Sequence, residues 1–223
     1  ADTNNSRIRM VTSPRPPSAL AQSVSVNEDE SLSVTLTGSD LVSRTGVSSS
    51  AARYGNGGLE ANGVSNSAES LSELTISTGS VTLEAWFNPR TSASGDEDKI
   101  VQLSGEEDYQ QAYLGWEDGQ VLFGLISGSS STWYTLYGAG ISLNSWHHVA
   151  GTSDGTIMRL YVDGVEVATR SIEATLTFSG NVEVAADLTY PKSNPGGRYA
   201  NGFIDEVRVW NYARTSSEIV NGK

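Results

Sequence analysis

Apolar and polar residues alternate along much of this chain. Leu32, Val34 and Leu36 occupy every second position of one segment, and segments 81–87 and 203–210 show the same period with larger side chains. Side chains two residues apart lie on one face of a β-strand, so this period indicates strands with a buried face. Residues 216–220, which follow a Thr-Ser cap, are the one segment with a helical pattern.

Asp-Gly pairs separate several of these strand segments. They stand at positions 118–119, 154–155 and 163–164. Asp-Gly between two strand-forming segments is a strong hairpin signal, because both turn positions need a positive φ angle. About twelve to fourteen short strands joined by such turns predict an all-β sandwich or barrel.

The sequence divides into a short N-terminal segment and one domain. Residues 1–23 contain polar turn-forming residues and three prolines, which predicts a flexible tail or linker. Residues 24–223 form the predicted single domain, since sandwiches of roughly 200–250 residues often fold as one unit. Residues 38–58 lack an apolar period and are predicted as loop.

Charge and composition exclude several classes of function. The chain has 26 acidic and 14 basic residues, a net charge of −12, whereas nucleic-acid binders normally carry the opposite balance. It has no cysteine, so disulfides and thiolate metal sites are excluded. No apolar run reaches the roughly 20 residues that span a bilayer, so membrane insertion is not expected.

Five segments in order carry a family resemblance. They are residues 59–63, 80–89, 144–150, 160–165 and 202–214. Together they resemble the laminin-G-like jelly roll of the concanavalin A-like lectin/glucanase superfamily over roughly residues 55–222. The resemblance implies a two-sheet antiparallel β-sandwich. Ala61 and Asn62 depart from it, because the family has an aromatic residue and Asp there. Residues 24–40 resemble instead the start of bacterial cadherin-like adhesin repeats.

Catalytic patterns are missing from the sequence. The superfamily includes glycosidases that use two carboxylates on one strand face, but no Glu-x-Asp-x-x-Glu run is present. Asp205 and Glu206 are adjacent, so they point to opposite faces of a strand. The adjacent His147 and His148 likewise cannot bind one metal, and we expect one to be buried and hydrogen-bonded and the other to lie near the surface. The sequence therefore predicts a protein that is not an enzyme.

Acidic positions suggest calcium. Asp96 and Asp98 belong to a loop run beside a strand, and loop carboxylates suit calcium, although a solvated acidic loop is the alternative. By the family resemblance, Asp205 would hold a structural calcium together with Asn62 or with the loop at Asp40. The alternative is that Asp205 accepts backbone hydrogen bonds or pairs with a nearby arginine.

Aromatic residues near loops are candidates for sugar binding. In segment 133–137, Trp133 and Tyr137 share one face, and composition favours Tyr134 and Leu136 for the core, leaving the first pair outward. The alternative is that all of these aromatics pack the second sheet. The other candidate ligand-binding residues lie in or beside the 95–109 and 190–199 loops and are Tyr109, Tyr190, Asn194 and Tyr199.

We therefore expect a non-catalytic, calcium-stabilised binding module that recognises carbohydrate or mediates adhesion, as a monomeric domain of a larger secreted or cell-surface bacterial protein. A structural or protein-interaction spacer is the first alternative. An atypical glycosidase or polysaccharide lyase is the second. The expected partner is a glycan or another cell-surface ligand, since the net charge of −12 argues against nucleic acid and against strongly anionic glycans.

Overall fold

The structure is a computed structural model that describes most of the chain. The described residues are 9–11, 41–44, 47–48, 52–54, 58–70, 73–91, 97–104, 110–127, 132–173, 177–187 and 198–223. Within them the chain forms sixteen strands and one helix. The strands before residue 80 are β1 (Arg9–Val11), β2 (Leu41–Arg44), β3 (Val47–Ser48), β4 (Gly58–Asn62), β5 (Ala68–Ser70) and β6 (Leu74–Ile76).

Longer strands make up the rest of the domain. They are β7 (Val81–Pro89), β8 (Asp98–Ser104), β9 (Gln110–Glu117), β10 (Gln120–Ser127), β11 (Thr132–Gly140), β12 (His147–Ser153), β13 (Ile157–Val162), β14 (Val165–Ser171), β15 (Phe178–Val184) and β16 (Asn201–Trp210). The helix α1 (Ser216–Gly222) follows them, with Thr215 and Glu218 forming a capping box at its start.

Two sheets pack face to face, which confirms the predicted antiparallel β-sandwich. The first sheet has the order β14-β13-β12-β7-β16-β4-β3, with β1 beside β16. The second has the order β11-β10-β9-β8-β15-β5-β2, with β6 beside β15. Alternate residues of both sheets, among them Leu83, Phe87 and Trp116, fill the core between them. The rings of Phe87 and Trp116 meet edge to face across it, with centroids 5.9 Å apart.

Hairpins form at all three predicted Asp-Gly pairs, and at two of them both residues have the predicted positive φ angle. Between β12 and β13, Gly155 has a φ angle of 88° but Asp154 does not have a positive one. Asp118 and Gly119 have φ angles of 47° and 81° and join β9 to β10. Asp163 and Gly164, at 53° and 84°, join β13 to β14. These are the positive φ angles that a tight two-residue hairpin needs.

The N-terminal region differs from the sequence prediction. The segment predicted as a tail contains β1, which pairs in parallel with residues 208–210 of β16. The predicted loop over 38–58 is wrong in part, since it contains β2 and β3. These strands have two to four residues, too few for an apolar period. The partner of β1 lies at the far end of the chain in β16, while β2 pairs with β5 and β3 with the nearby β4. The strands predicted between residues 24 and 37 lie outside the described residues.

Candidate functional site

The outer face of the second sheet carries a row of residues drawn from five neighbouring strands. In register they are Glu183 on β15, Gln102 on β8, Tyr113 on β9, Gly124 on β10 and Thr135 on β11. We call this set the polar row. The residues that alternate with it, such as Leu103 and Leu114, face the core. Gln102, Tyr113 and Glu183 are buried although they lie on the outer face.

Glu97 joins the polar row to two cations. Its carboxylate lies 2.5 Å from the Lys99 ammonium and 3.8 Å from the Arg198 guanidinium, and it accepts a hydrogen bond of 3.3 Å from the Tyr113 hydroxyl. The Lys99 ammonium also lies 3.6 Å from the Tyr113 ring centroid. Burial lowers the pKa of Lys99 to about 8, against the opposing effect of Glu97.

Gln102 links two carboxylates at the other end of the row. Its amide donates to Glu183 at 2.5 Å and to Asp187 at 3.2 Å, and the Ser104 hydroxyl donates to Glu183 at 2.8 Å. Within the part of the chain that the structure describes, the buried Gln102 Oε1 has no hydrogen-bond partner. Ala185, two residues before Asp187, has a φ angle of 66°. A non-glycine residue in that region is strained, so the surrounding contacts hold this end of β15 in place.

Gly124 gives the Tyr113 ring its place on the sheet. A Cβ atom on Gly124 would lie 2.2 Å from the Tyr113 ring, so the ring crosses the sheet directly over this glycine. The Thr135 side chain hydrogen-bonds the Tyr113 hydroxyl from the next strand. Burial, with the Glu97 carboxylate second, raises the pKa of Tyr113. The tyrosine therefore stays neutral and connects β11 to the buried network.

Trp133 and Tyr137 flank Thr135 on β11 and face solvent. Trp133 is 51% exposed and Tyr137 is 52% exposed, while Leu136 between them is 6% exposed. Tyr134 packs against the core. This confirms the predicted assignment of faces. Burial and the neighbouring Glu117 carboxylate raise the pKa of Tyr137, which also hydrogen-bonds Glu117.

The other predicted ligand-binding residues are only partly described. Tyr199 forms a β-bridge with Lys99, and the Arg198 carbonyl accepts a hydrogen bond of 3.1 Å from the Lys99 backbone N–H. The structure thereby joins the ends of the two loops that were predicted to bind ligand. Tyr109, Tyr190 and Asn194 lie outside the described residues.

The proposed calcium ligands Asp205 and Asn62 do not share a site. Asp205 Oδ2 accepts hydrogen bonds from the backbone N–H groups of Arg53 and Tyr54 at 2.8 and 3.0 Å, and Oδ1 accepts one from Glu206. Asn62 Oδ1 accepts three backbone hydrogen bonds from residues 64–66.

Distance separates these two residues as well. Asn62 pairs with Asn201 across β4 and β16, and Asp205 lies four residues further along β16, at about 13 Å. Neither the distance nor the occupied lone pairs fit a common calcium ion. Asp98 is half-buried at the start of β8, and Asp96 lies outside the described residues. In the described part of the chain, no three acidic or histidine residues cluster as a metal site.

The two histidines differ from the prediction. His148 is fully buried, but neither ring nitrogen has a hydrogen-bond partner among the described residues. His147 is the hydrogen-bonded one, with contacts of 2.8 Å to both Ser142 and Asp163. Because the two side chains point to opposite faces of β12, they cannot bind one metal ion together.

Sequence reasoning missed the buried part of the polar row. The buried members of the polar row are Gln102, Tyr113 and Glu183, and the buried Lys99 and Asp187 contact them. The available signal was a polar residue within an otherwise apolar strand segment, as at Gln102 in residues 100–103. That signal does not show which strands bring such residues together.

Known proteins resemble this chain in part. A stretch of 76 residues is 34% identical to pappalysin-1 of Mus musculus, and the human protein matches equally well. That stretch is 34% of this chain and 5% of pappalysin-1. No helix in the described residues has the length and apolar character needed to cross a membrane.

Solved structures share the fold at low identity. The binding domain of Paraclostridial Mosquitocidal Protein 1 superimposes with a TM-score of 0.62 at 16% identity, over 82% of this chain and 46% of that one. The ligand binding domain of botulinum neurotoxin serotype D, solved in complex with N-acetylneuraminic acid, gives a TM-score of 0.60 at 13% identity, over 82% and 45%. This chain thus spans about half the length of these domains.

The family assignment rests on a match over most of the chain. A laminin-G family model, described as concanavalin A-like lectin/glucanases superfamily, matches residues 62–220. The two packed antiparallel sheets agree with it. The chain belongs to the concanavalin A-like lectin/glucanase superfamily as a laminin-G-like domain.

Proposed function

We propose that this domain is a non-catalytic module that binds carbohydrate on the outer face of its second sheet. The observation that carries the proposal is the exposed pair Trp133 and Tyr137, which flanks Thr135 on the polar row. Flat aromatic rings stack on the C–H faces of sugars, and nearby hydroxyl and carboxylate groups bind sugar hydroxyls. Aromatic surface with a few convergent polar groups is the usual composition of a ligand site.

The network beneath the pair supports binding rather than packing alone. Tyr113 connects Thr135 to Glu97, and Glu97 connects to Lys99 and Arg198. A site whose supporting side chains are already held loses less conformational entropy when a ligand binds. The fold relationship to a neurotoxin domain solved with N-acetylneuraminic acid also supports glycan recognition on this scaffold.

Substitution of the exposed aromatics tests the proposal. We expect Trp133→Ala and Tyr137→Ala each to lower the affinity for the best ligand of a glycan array about tenfold, the equivalent of about 1.4 kcal/mol. Tyr54→Ala is the control, because Tyr54 is similarly exposed but lies against Trp86 on the first sheet. If the wild-type protein binds no glycan, the domain is better described as a structural or protein-interaction spacer.

One observation favours a glycosidase as second candidate. Glu183 and Asp187 both accept hydrogen bonds from the Gln102 amide, so two carboxylates lie close together on the outer face. Both Glu183 oxygens are already bound, one by Gln102 and one by Ser104, which supports a structural role. Release of reducing ends from a polysaccharide panel that is lost in Glu183→Gln would overturn the non-catalytic proposal.

We further propose that the domain is extracellular and stabilised by calcium at the 96–98 run. Calcium that binds only the folded state raises stability by about 2.7 kcal/mol at a hundredfold excess over Kd. In a thermal melt of chelated protein, millimolar CaCl2 should raise Tm by about 5–10 °C. Asp98→Asn should abolish this shift and Asp205→Asn should retain it. Absence of any shift in the wild-type protein would remove calcium from the proposal.

A further inference from the structure

The two exposed aromatic residues of β11 are spaced along the strand by more than the length of one sugar. Trp133 and Tyr137 are four residues apart on the same strand face, so their Cα atoms are about 13 Å apart. A single pyranose ring is shorter than this backbone spacing, so a longer ligand is better matched to contacting both side chains. Thr135, whose side chain hydrogen-bonds the Tyr113 hydroxyl, lies midway between them on the same face of the strand. This arrangement fits a ligand that is extended along the strand.

The position of β11 leaves space for such a ligand. β11 is the last strand of the second sheet and, within the described part of the chain, pairs only with β10. Its inner residues, Tyr134 and Leu136, are held by the core, so the strand has a fixed direction. The exposed aromatic side chains therefore stand on a rigid support at the edge of the sheet.

The charges around the two aromatics favour a neutral ligand. The described charged side chains nearest to the two aromatics are Glu117, which hydrogen-bonds Tyr137, and Arg170, whose guanidinium donates to the Thr135 carbonyl at 3.5 Å. Further along the polar row, the three acidic residues Glu97, Glu183 and Asp187 stand against the two cations Lys99 and Arg198. Lys99 is paired with Glu97, and Arg198 lies within 4 Å of carboxylates of Glu97 and Asp187. A sugar carboxylate would meet a site with more negative than positive charge, on a chain with a net charge of −12.

We propose that the ligand of this site is an internal stretch of a neutral, linear polysaccharide that lies along β11 and contacts both Trp133 and Tyr137. The proposal rests on the proposed function and adds the length and charge of the ligand. The proposal therefore disfavours a terminal, anionic sugar such as the N-acetylneuraminic acid in the complex of the structurally similar neurotoxin domain.

Calorimetric titration with a length series tests this proposal. The probes are β-1,3- and β-1,4-linked gluco- and manno-oligosaccharides from monosaccharide to hexasaccharide, with sialyllactose as the anionic comparison. Affinity should rise with length until the ligand spans both aromatics, at about three sugars, and then stay constant. Trp133→Ala and Tyr137→Ala should each cost about tenfold for the hexasaccharide, and the two together should leave it no better bound than a monosaccharide.

The outcomes separate this proposal from the proposed function. If monosaccharides bind as tightly as hexasaccharides, or if sialyllactose binds best with loss of binding in Trp133→Ala, glycan recognition stands and the neutral-chain proposal is overturned. If no probe and no array glycan binds, both fail. Circular dichroism and Tm of both variants should match the wild type, because both side chains are about half exposed. The control Tyr54→Ala should keep the full length dependence.

Discussion

The buried His148 on β12 should make the stability of the domain depend on pH. Its ring is fully buried and packs edge to face on Trp86, with centroids 5.5 Å apart. Burial, followed by repulsion from Arg208 and Arg214, lowers the pKa of His148 from 6.5 to about 3. The folded protein therefore keeps this histidine neutral under conditions where the unfolded chain protonates it.

A nearby carboxylate does not offset this burial. Glu84 Oε2 lies 3.9 Å from His148 Nε2, but the Glu84 carboxylate is already bound by three groups. Arg214 lies at 2.5 Å, Trp210 Nε1 donates at 3.1 Å, and Arg208 lies at 3.3 Å. Glu84 is thus neutralised by its own partners and adds little to the stability of a protonated His148.

The direction and size of the effect follow from linkage. Since the folded-state pKa of about 3 lies below the unfolded value of 6.5, the unfolded chain binds more protons between these pH values, and stability falls as the pH falls. One pKa unit corresponds to 1.36 kcal/mol, so lowering the pH from 7 to 5 should cost about 2 kcal/mol through His148. For a domain of this size that is about 4–8 °C in Tm.

Urea unfolding at several pH values measures this contribution. His148→Gln removes the titrating group, so the variant should lose about 2 kcal/mol less than the wild type between pH 7 and pH 5. His147→Gln is the matched control and should keep the contribution of His148 to the pH dependence, because His148 remains in place. The reasoning is refuted if His148→Gln and the wild type lose the same free energy over this range.

Three other substitutions have outcomes that the structure specifies. Gly124→Ala should displace the Tyr113 ring, which leaves only 2.2 Å for the new Cβ, and should lower the free energy of unfolding by about 1–3 kcal/mol in urea titration. Arg214→Met should cost about 3 kcal/mol in the same assay, because the buried Glu84 loses its shortest ion pair. Asp205→Ala should lower the free energy of unfolding by about 2 kcal/mol and speed limited proteolysis near residues 53–54, since its carboxylate accepts backbone hydrogen bonds from Arg53 and Tyr54. Unchanged proteolysis of this last variant would contradict its role as an anchor.

Local chemistry accounts for the features that the sequence predicted correctly. A period of two and Asp-Gly turns depend on neighbouring residues alone, so strands such as β7 and the hairpins at Asp118 and Asp163 could be predicted. The same period identified the outward face of β11, because side chains alternate regardless of what the strand pairs with. Trp133 and Tyr137 are therefore the part of the candidate site that the sequence determined.

Tertiary structure decided the rest of the site. Gln102 and Glu183 are 81 residues apart and meet because β8 and β15 are neighbours, which no local pattern shows. The low pKa of His148 arises from its burial and from Arg208 and Arg214, which come from β16 and the chain end, 60 or more residues later. The sequence determined which residues form strands and which face each one shows. Strand order, set by how the two sheets bury their apolar faces together, decided which polar residues meet.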